Sequence, residues 1–167
     1  MPLPSTYIPI ATVKTTAEVA TITMSNIPQT YTDLILVATC GNPSSAVNYN
    51  LRFNGDAGSN YSTTYMVSSG GTLSGGSTAA VQDKVYLTQT GANLAGKWGS
   101  QINHIMNYSS TNTFKTVLSR MSSDIEVALN TSIYKTTTAI TSVTILSNEV
   151  QIYTTGSYFT LYGLKAA

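Results

Sequence analysis

The stretch FNGDAGSNYS, residues 53–62, gathers two asparagines, an aspartate, two glycines and two serines with two aromatics, in a chain otherwise short of charge. A calcium loop needs oxygen donors at alternating positions, and Asn54, Asp56 and Gly58 begin that spacing. Gly58 has no side-chain oxygen, however, and no bidentate Glu follows in register. The same residues fit a corner between strands better. Gly55 and Gly58 are expected at positive φ, with Asn54, Asp56 and Asn60 closing Asx-type turns.

Other reactive groups are sparse. His104 is the only histidine, so one chain cannot build a site from two imidazoles. Nucleophilic catalysis would need an activated Ser or Cys beside it. No G-x-S-x-G turn is present, and the single cysteine, Cys40, ends an apolar run where a thiol is an inert core residue. The seven carboxylates are Glu18, Asp33, Asp56, Asp83, Asp124, Glu126 and Glu149. Asp124 and Glu126 share one side of a candidate strand and are the one pair close enough for acid/base work on a sugar, although a solvated pair is the commoner outcome. The glycines in SSGG and SGGS lack the Lys and helix of a phosphate loop. Eleven tyrosines and Trp98 could stack on sugars. Tyr49, Tyr86, Tyr153, Tyr158 and Tyr162 alternate with polar residues and are expected mostly at a core edge or interface. Asn60, Asn107 and Asn130 open N-x-S sequons, relevant only in a secretory setting. These residues predict no catalytic, cofactor or metal site.

The elements that hold them read as strands. EVATITMS (18–25) alternates with period two, LILVATC (34–40) is a continuous apolar run, and YNLRF (49–53) puts Tyr49, Leu51 and Phe53 on one face. Further candidates lie at 60–67, 82–89, 100–108, 114–122, 124–135, 139–147 and 158–165. Nine to eleven short strands separated by Gly, Asn, Ser and Pro predict an all-β, antiparallel two-sheet sandwich, jelly-roll-like. Its core is expected to include Leu34, Leu36, Leu51, Phe53, Ile102, Val143 and Ile145. The 167 residues fit a single domain. Residues 1–10, with Pro2, Pro4 and Pro9, are expected as an extended arm, and the Gly/Ser-rich segment 68–80 as a mobile loop or an arm.

Composition narrows the function classes. The chain is 42% hydrophobic but only 9% charged, and Ser and Thr exceed a quarter of it. A hydroxyl-rich surface suits a protein packed against partners more than a cytosolic enzyme kept soluble by charge. A net charge of +1 offers no basic face for nucleic acid. No apolar run approaches the roughly 18 residues of a membrane helix. MPLPSTYIPI lacks the basic and apolar regions of a signal peptide. No nucleic-acid or membrane partner is therefore expected.

YIPIATVK, IPQTYTDLILV, LRFNGDAGSNYS and the ending GSYFTLYGLKAA occur in that order. Together they resemble a family of small tailed-bacteriophage virion proteins carrying IP-x-TY-x-DL-x-L, FNGD-x-GSNYS and a terminal F-x-LYGI/L. The resemblance runs from Tyr7 to Leu164 apart from the Gly/Ser segment. It implies a β-sandwich without enzymatic activity, made in the bacterial cytoplasm and assembled as a homo-oligomer, a trimer first, on the virion. Its implied partners are the major capsid protein or neighbouring virion proteins, in the role of capsid decoration or cement. The alternative is a carbohydrate-binding module of a tail or head fibre that recognises host glycans. An enzyme such as a glycan depolymerase comes last.

Overall fold

The computed structural model describes residues 6–41, 49–78, 82–87, 98–123, 126–147 and 152–165. The described residues form twelve strands and no helix. In chain order these are β1 (Tyr7–Lys14), β2 (Thr21–Met24), β3 (Asp33–Gly41), β4 (Asn50–Phe53), β5 (Tyr61–Ser69), β6 (Thr72–Ser77), β7 (Val85–Tyr86), β8 (Trp98–Met106), β9 (Lys115–Ser122), β10 (Glu126–Tyr134), β11 (Val143–Leu146) and β12 (Tyr158–Leu164). One sheet has eight strands in the order β1-β12-β3-β8-β9-β10-β5-β6, and the other has four in the order β2-β11-β4-β7. The two antiparallel sheets pack as a sandwich, split eight against four, with β8, β9 and β10 as a meander.

Alternation explains the core. Leu34, Leu36, Ile105, Val117, Phe159 and Leu161 come from the large sheet, and Ile22, Met24, Leu51, Phe53, Val143 and Ile145 from the small one. Each such side chain, taken fully out of water, contributes about 1.5–3 kcal/mol. Six of the seven expected core residues lie here. Ile102 does not: it is 37% exposed and points outward. QINHIM carries isoleucines at positions of opposite parity, and Ile105 takes the inward one.

Two elements differ from the sequence reading. From Tyr7 onward the expected arm is an edge strand, paired with β12, and the register shifts between Pro9 and Ala11. Proline lacks the N–H that an interior strand must donate, so an edge strand with an irregularity accommodates it. Residues 1–5, including Pro2 and Pro4, lie outside the described residues. Within the Gly/Ser segment β5 and β6 form a hairpin across Gly70 and Gly71, at φ 55° and 85°, and residues 79–80 lie outside the described residues. Two adjacent positive-φ residues match the tight turns that join antiparallel strands, so glycine here makes the strand pairing possible.

FNGD is a corner that carries the chain from the small sheet (β4) to the large one (β5). Asn54 and Gly55 have φ 54° and 68°, and the Asp56 N–H donates to Phe53 O at 2.9 Å. That combination is a type I′ turn. Gly58, expected at positive φ, is not among the positive-φ residues. A β-carbon there would lie 3.0 Å from Asp56 Oδ1 and 3.1 Å from Asn60 Nδ2, so the glycine leaves room for those two side chains to meet.

Candidate functional site

The corner's polar groups are committed to the fold. Asp56 Oδ1 accepts the Gly58 N–H at 2.8 Å, while Oδ2 accepts Asn60 Nδ2 at 2.9 Å and the Tyr134 hydroxyl at 3.0 Å. Burial opposes ionisation of Asp56, but these hydrogen bonds and the Arg52 charge outweigh it and hold the carboxyl below its usual range. Asn54 ties the corner to a distant loop: Nδ2 donates to Ala139 O at 2.8 Å, and Oδ1 accepts the Thr141 N–H at 2.8 Å. Asparagine tolerates the left-handed region and supplies both a donor and an acceptor, which accounts for its place here.

The remaining candidates are dispersed. Cys40 is buried, and burial pushes its thiol up to about 12 despite a lowering hydrogen bond with Tyr49. Asp83 pairs with Arg52 at 2.6 Å. Glu126, expected to be solvated, is 4% exposed and faces inward from β10, while Asp124 and Glu149 lie outside the described residues. Asn130 of the third sequon is buried. Of the tyrosines expected at edges, Tyr49 and Tyr153 are instead buried and stacked, with ring centroids 5.4 Å apart. Among the described residues no group of three or more His, Cys, Asp or Glu side chains lies close enough to share a metal ion.

The structure draws attention to a surface rather than a cleft of reactive groups. In β8, β9 and β10 several polar residues face inward beside the apolar core residues, and several apolar ones face outward. Gln101, Asn103, Ser119, Asn130 and Ser132 face inward and are buried, while Ile102, Leu118, Val127 and Leu129 face outward and are exposed. Register extends the outward positions across the sheet. One row runs Thr160, Val37, Ile102, Arg120, Leu129, Met66, and the next runs Tyr162, Ile35, His104, Leu118, Thr131, Thr64. Ten large hydrophobic side chains are exposed in the described residues, and strand alternation places all but Phe114 on this face. Scattered exposed apolar residues are ordinary, but a contiguous patch marks an interaction site.

A groove of about 590 Å³ crosses this face from Tyr7 and Leu164 to Leu129, floored by Ile35, Val37, Ile102 and Leu118. His104 and Arg120 are its basic lining residues. His104 Nε2 lies 2.9 Å from Asp33 Oδ2, and Asp33 Oδ1 accepts the Asn107 N–H at 2.9 Å. Arg120 has no ion-pair partner among the described residues. The aliphatic lining favours burial of apolar groups, and a free guanidinium at its centre favours an anion beside them.

Sequence reasoning missed Arg120 and the whole outward row, because apolar residues in a strand are assigned to the core by default. The available signal was the polar set in phase with the core positions, Gln101, Asn103, Ser119 and Asn130. It also missed Lys115, which is fully buried with Nζ donating to Ser110 O at 2.7 Å and to Thr113 O and Thr136 O at 3.2 Å. Burial lowers the ammonium pKa, and three carbonyls replace its water. This lysine ties the 110–113 loop to the segment after β10. No protein-family model matches the chain, and no curated protein matches it.

Proposed function

We propose that this chain is a non-enzymatic structural protein of a tailed-phage virion, a capsid decoration protein held on the head surface as a homo-oligomer. The observation that carries the reading is the outer face of the eight-stranded sheet, where nine of the ten exposed large hydrophobic side chains among the described residues gather. Such a face is stable when covered, so the chain's working state is an assembled one. The resemblance of its IPQTYTDLILV, FNGDAGSNYS and YFTLYGL segments to small virion proteins supplies the particle. Their polar residues serve the fold, as Asn54 and Asp56 do in the corner, and this agrees with a scaffold role.

A second reading, glycan recognition by a fibre module, draws on Tyr7 at the end of the groove, edge-on to Tyr162 with centroids 6.2 Å apart. The aliphatic floor counts against it, because sugars require aromatic platforms with several convergent polar groups. Quantitative mass spectrometry of washed particles, followed by reconstruction of the intact virion, tests both. Copy number comparable to that of the shell protein, with density on the head, supports decoration. A few copies confined to fibres, with binding to host glycans, supports the second reading, and absence from particles removes both.

A further inference from the structure

We propose that two copies of this chain pair face to face through the outer surface of the eight-stranded sheet, about a two-fold axis that sets Arg120 of each copy against Asp33 of the other. The proposal rests on reading this face as the chain's assembly surface, and it names the occupant.

Area is the first argument. Eight strands about 4.8 Å apart and about eight residues long span roughly 900 Å². A standard interface uses roughly 800 Å² from each partner. The groove is much smaller than the patch: Val127, Met66 and Leu73 are exposed on the same face but do not line it. A small ligand would leave them in water, whereas a second sheet covers them.

Charge is the second. The outward positions of β3, β8, β9 and β10 carry one fixed cation, Arg120, and one carboxylate, Asp33, with His104 beside the latter. Covering this face with an uncharged surface would strip water from Arg120 without giving it a partner. The same face on a second copy supplies the missing carboxylate. Val37, not Asp33, shares the row of Arg120, so the two charges are offset by two strands and four residues, about 16 Å. A two-fold axis in the plane of the face, midway between them, exchanges the two positions. Both cations then meet carboxylates and the aliphatic floor lies between the pairs. Asp33 already accepts from His104 and Asn107, but a carboxylate has lone pairs for further donors.

Symmetry is the third. One self-complementary patch closes a two-fold pair, whereas a three-fold ring needs two different patches on every copy. Among the described residues the exposed apolar side chains supply one patch.

The midpoint between Asp33 and Arg120 falls at His104, so the two copies of residue 104 approach each other at the axis. This gives the experiment two independent readouts on the full chain. Light scattering across a concentration series is expected to show a dimer, weakened at least about tenfold by Arg120→Asp or Leu129→Glu with the circular dichroism spectrum unchanged. Arg120→Asp combined with Asp33→Arg is expected to restore pairing. Because Asp33→Arg also removes two native hydrogen bonds, His104→Cys provides the second readout. A short bismaleimide should link it into dimers while Cys40 stays buried, and Phe114→Cys, off the face, should not link. A monomer at every concentration, a trimer, a dimer indifferent to Arg120→Asp and Leu129→Glu, or linkage at 114 and not at 104 would each overturn the pairing. A dimer from a chain missing from washed particles leaves the pairing standing and removes the particle reading. A monomer found on particles does the reverse.

Discussion

Tyr31 occupies the space that a side chain at residue 163 would need: a β-carbon built on Gly163 would lie 2.3 Å from Cδ2 and 2.4 Å from Cγ of the ring. The contact joins two of the sequence segments singled out for their pattern, IPQTYTDL and YFTLYGL. The Tyr31 N–H in turn donates to the Tyr108 hydroxyl at 3.3 Å, and that hydroxyl donates to Pro28 O. The turn before β3 is thus fixed onto β12 by a ring over a bare backbone. Gly163 is there because only hydrogen fits.

Gly163→Ala is therefore expected to destabilise the sandwich by about 1–3 kcal/mol, the usual cost of forcing extra volume into a packed site. The ring is the obstacle, so the same substitution in a Tyr31→Ala background should cost much less. Urea denaturation of the two single variants and the double variant measures the coupling. Additive effects would show that the ring is not what excludes a side chain at 163.

Asp56 is the anionic hub of the corner, and its removal leaves the buried Tyr134 hydroxyl without its acceptor. Asp56→Ala should lower stability by about 2 kcal/mol, since hydrogen bonds to a charged group contribute about 1.5–3 kcal/mol. The carboxyl is held below its ordinary value of 3.8, so the folded state releases its proton more readily than the unfolded chain. This contribution is fully present above the unfolded value and is lost as pH falls through the lower folded one. Melting temperature measured from about pH 6 down to about pH 2 should fall more steeply for the native chain than for Asp56→Asn. Parallel curves would remove Asp56 as a source of acid sensitivity.

Ten of the twelve strands could be read from the sequence, because alternation or an apolar run is local and each strand carries its own. β1 and β6 escaped because Pro9 and the glycines at 70, 71, 75 and 76 are read as breaks, whereas at a sheet edge and a hairpin tip they are tolerated or required. The corner at 53–62 was legible down to Asn54 and Asp56, since turn chemistry is set by neighbours in sequence. Its anchors at Ala139, Thr141 and Tyr134 were not, because they depend on which strands become adjacent. The outer face was missed for a deeper reason. Period two shows that Ile102 and Leu118 share a side with their alternate neighbours, but not which side faces the other sheet.

Cys40 should be chemically silent in the folded chain. It is 1% exposed, and burial pushes its thiol up to about 12, so almost no thiolate forms near neutral pH. A maleimide or disulfide reagent is expected to label it only after denaturation. Rapid labelling of the native chain would mean that β3 opens at the end where Thr154 N–H meets Gly41 O.

The inward polar layer sharpens the contrast with the apolar outside. Ser119 lies between Asn103 and Asn130 across three strands, is 3% exposed, and its hydroxyl has no hydrogen-bond partner among the described residues. Both amide atoms of Gln101, which also faces inward on β8, are in the same position. A buried hydroxyl that gives up water without a replacement costs roughly 1–3 kcal/mol. Ser119→Ala removes that penalty and opens only a small void, so stability should rise by about 1 kcal/mol. Thr63→Ala serves as the control, because Thr63 Oγ1 is bonded to Ser132 Oγ at 2.8 Å and its loss should be destabilising. Chemical denaturation of the two variants gives the signs. A loss of stability in Ser119→Ala comparable to that in Thr63→Ala would mean that the polar row across β8, β9 and β10 is satisfied in solution, and that the sheet holds its inward polar layer without strain.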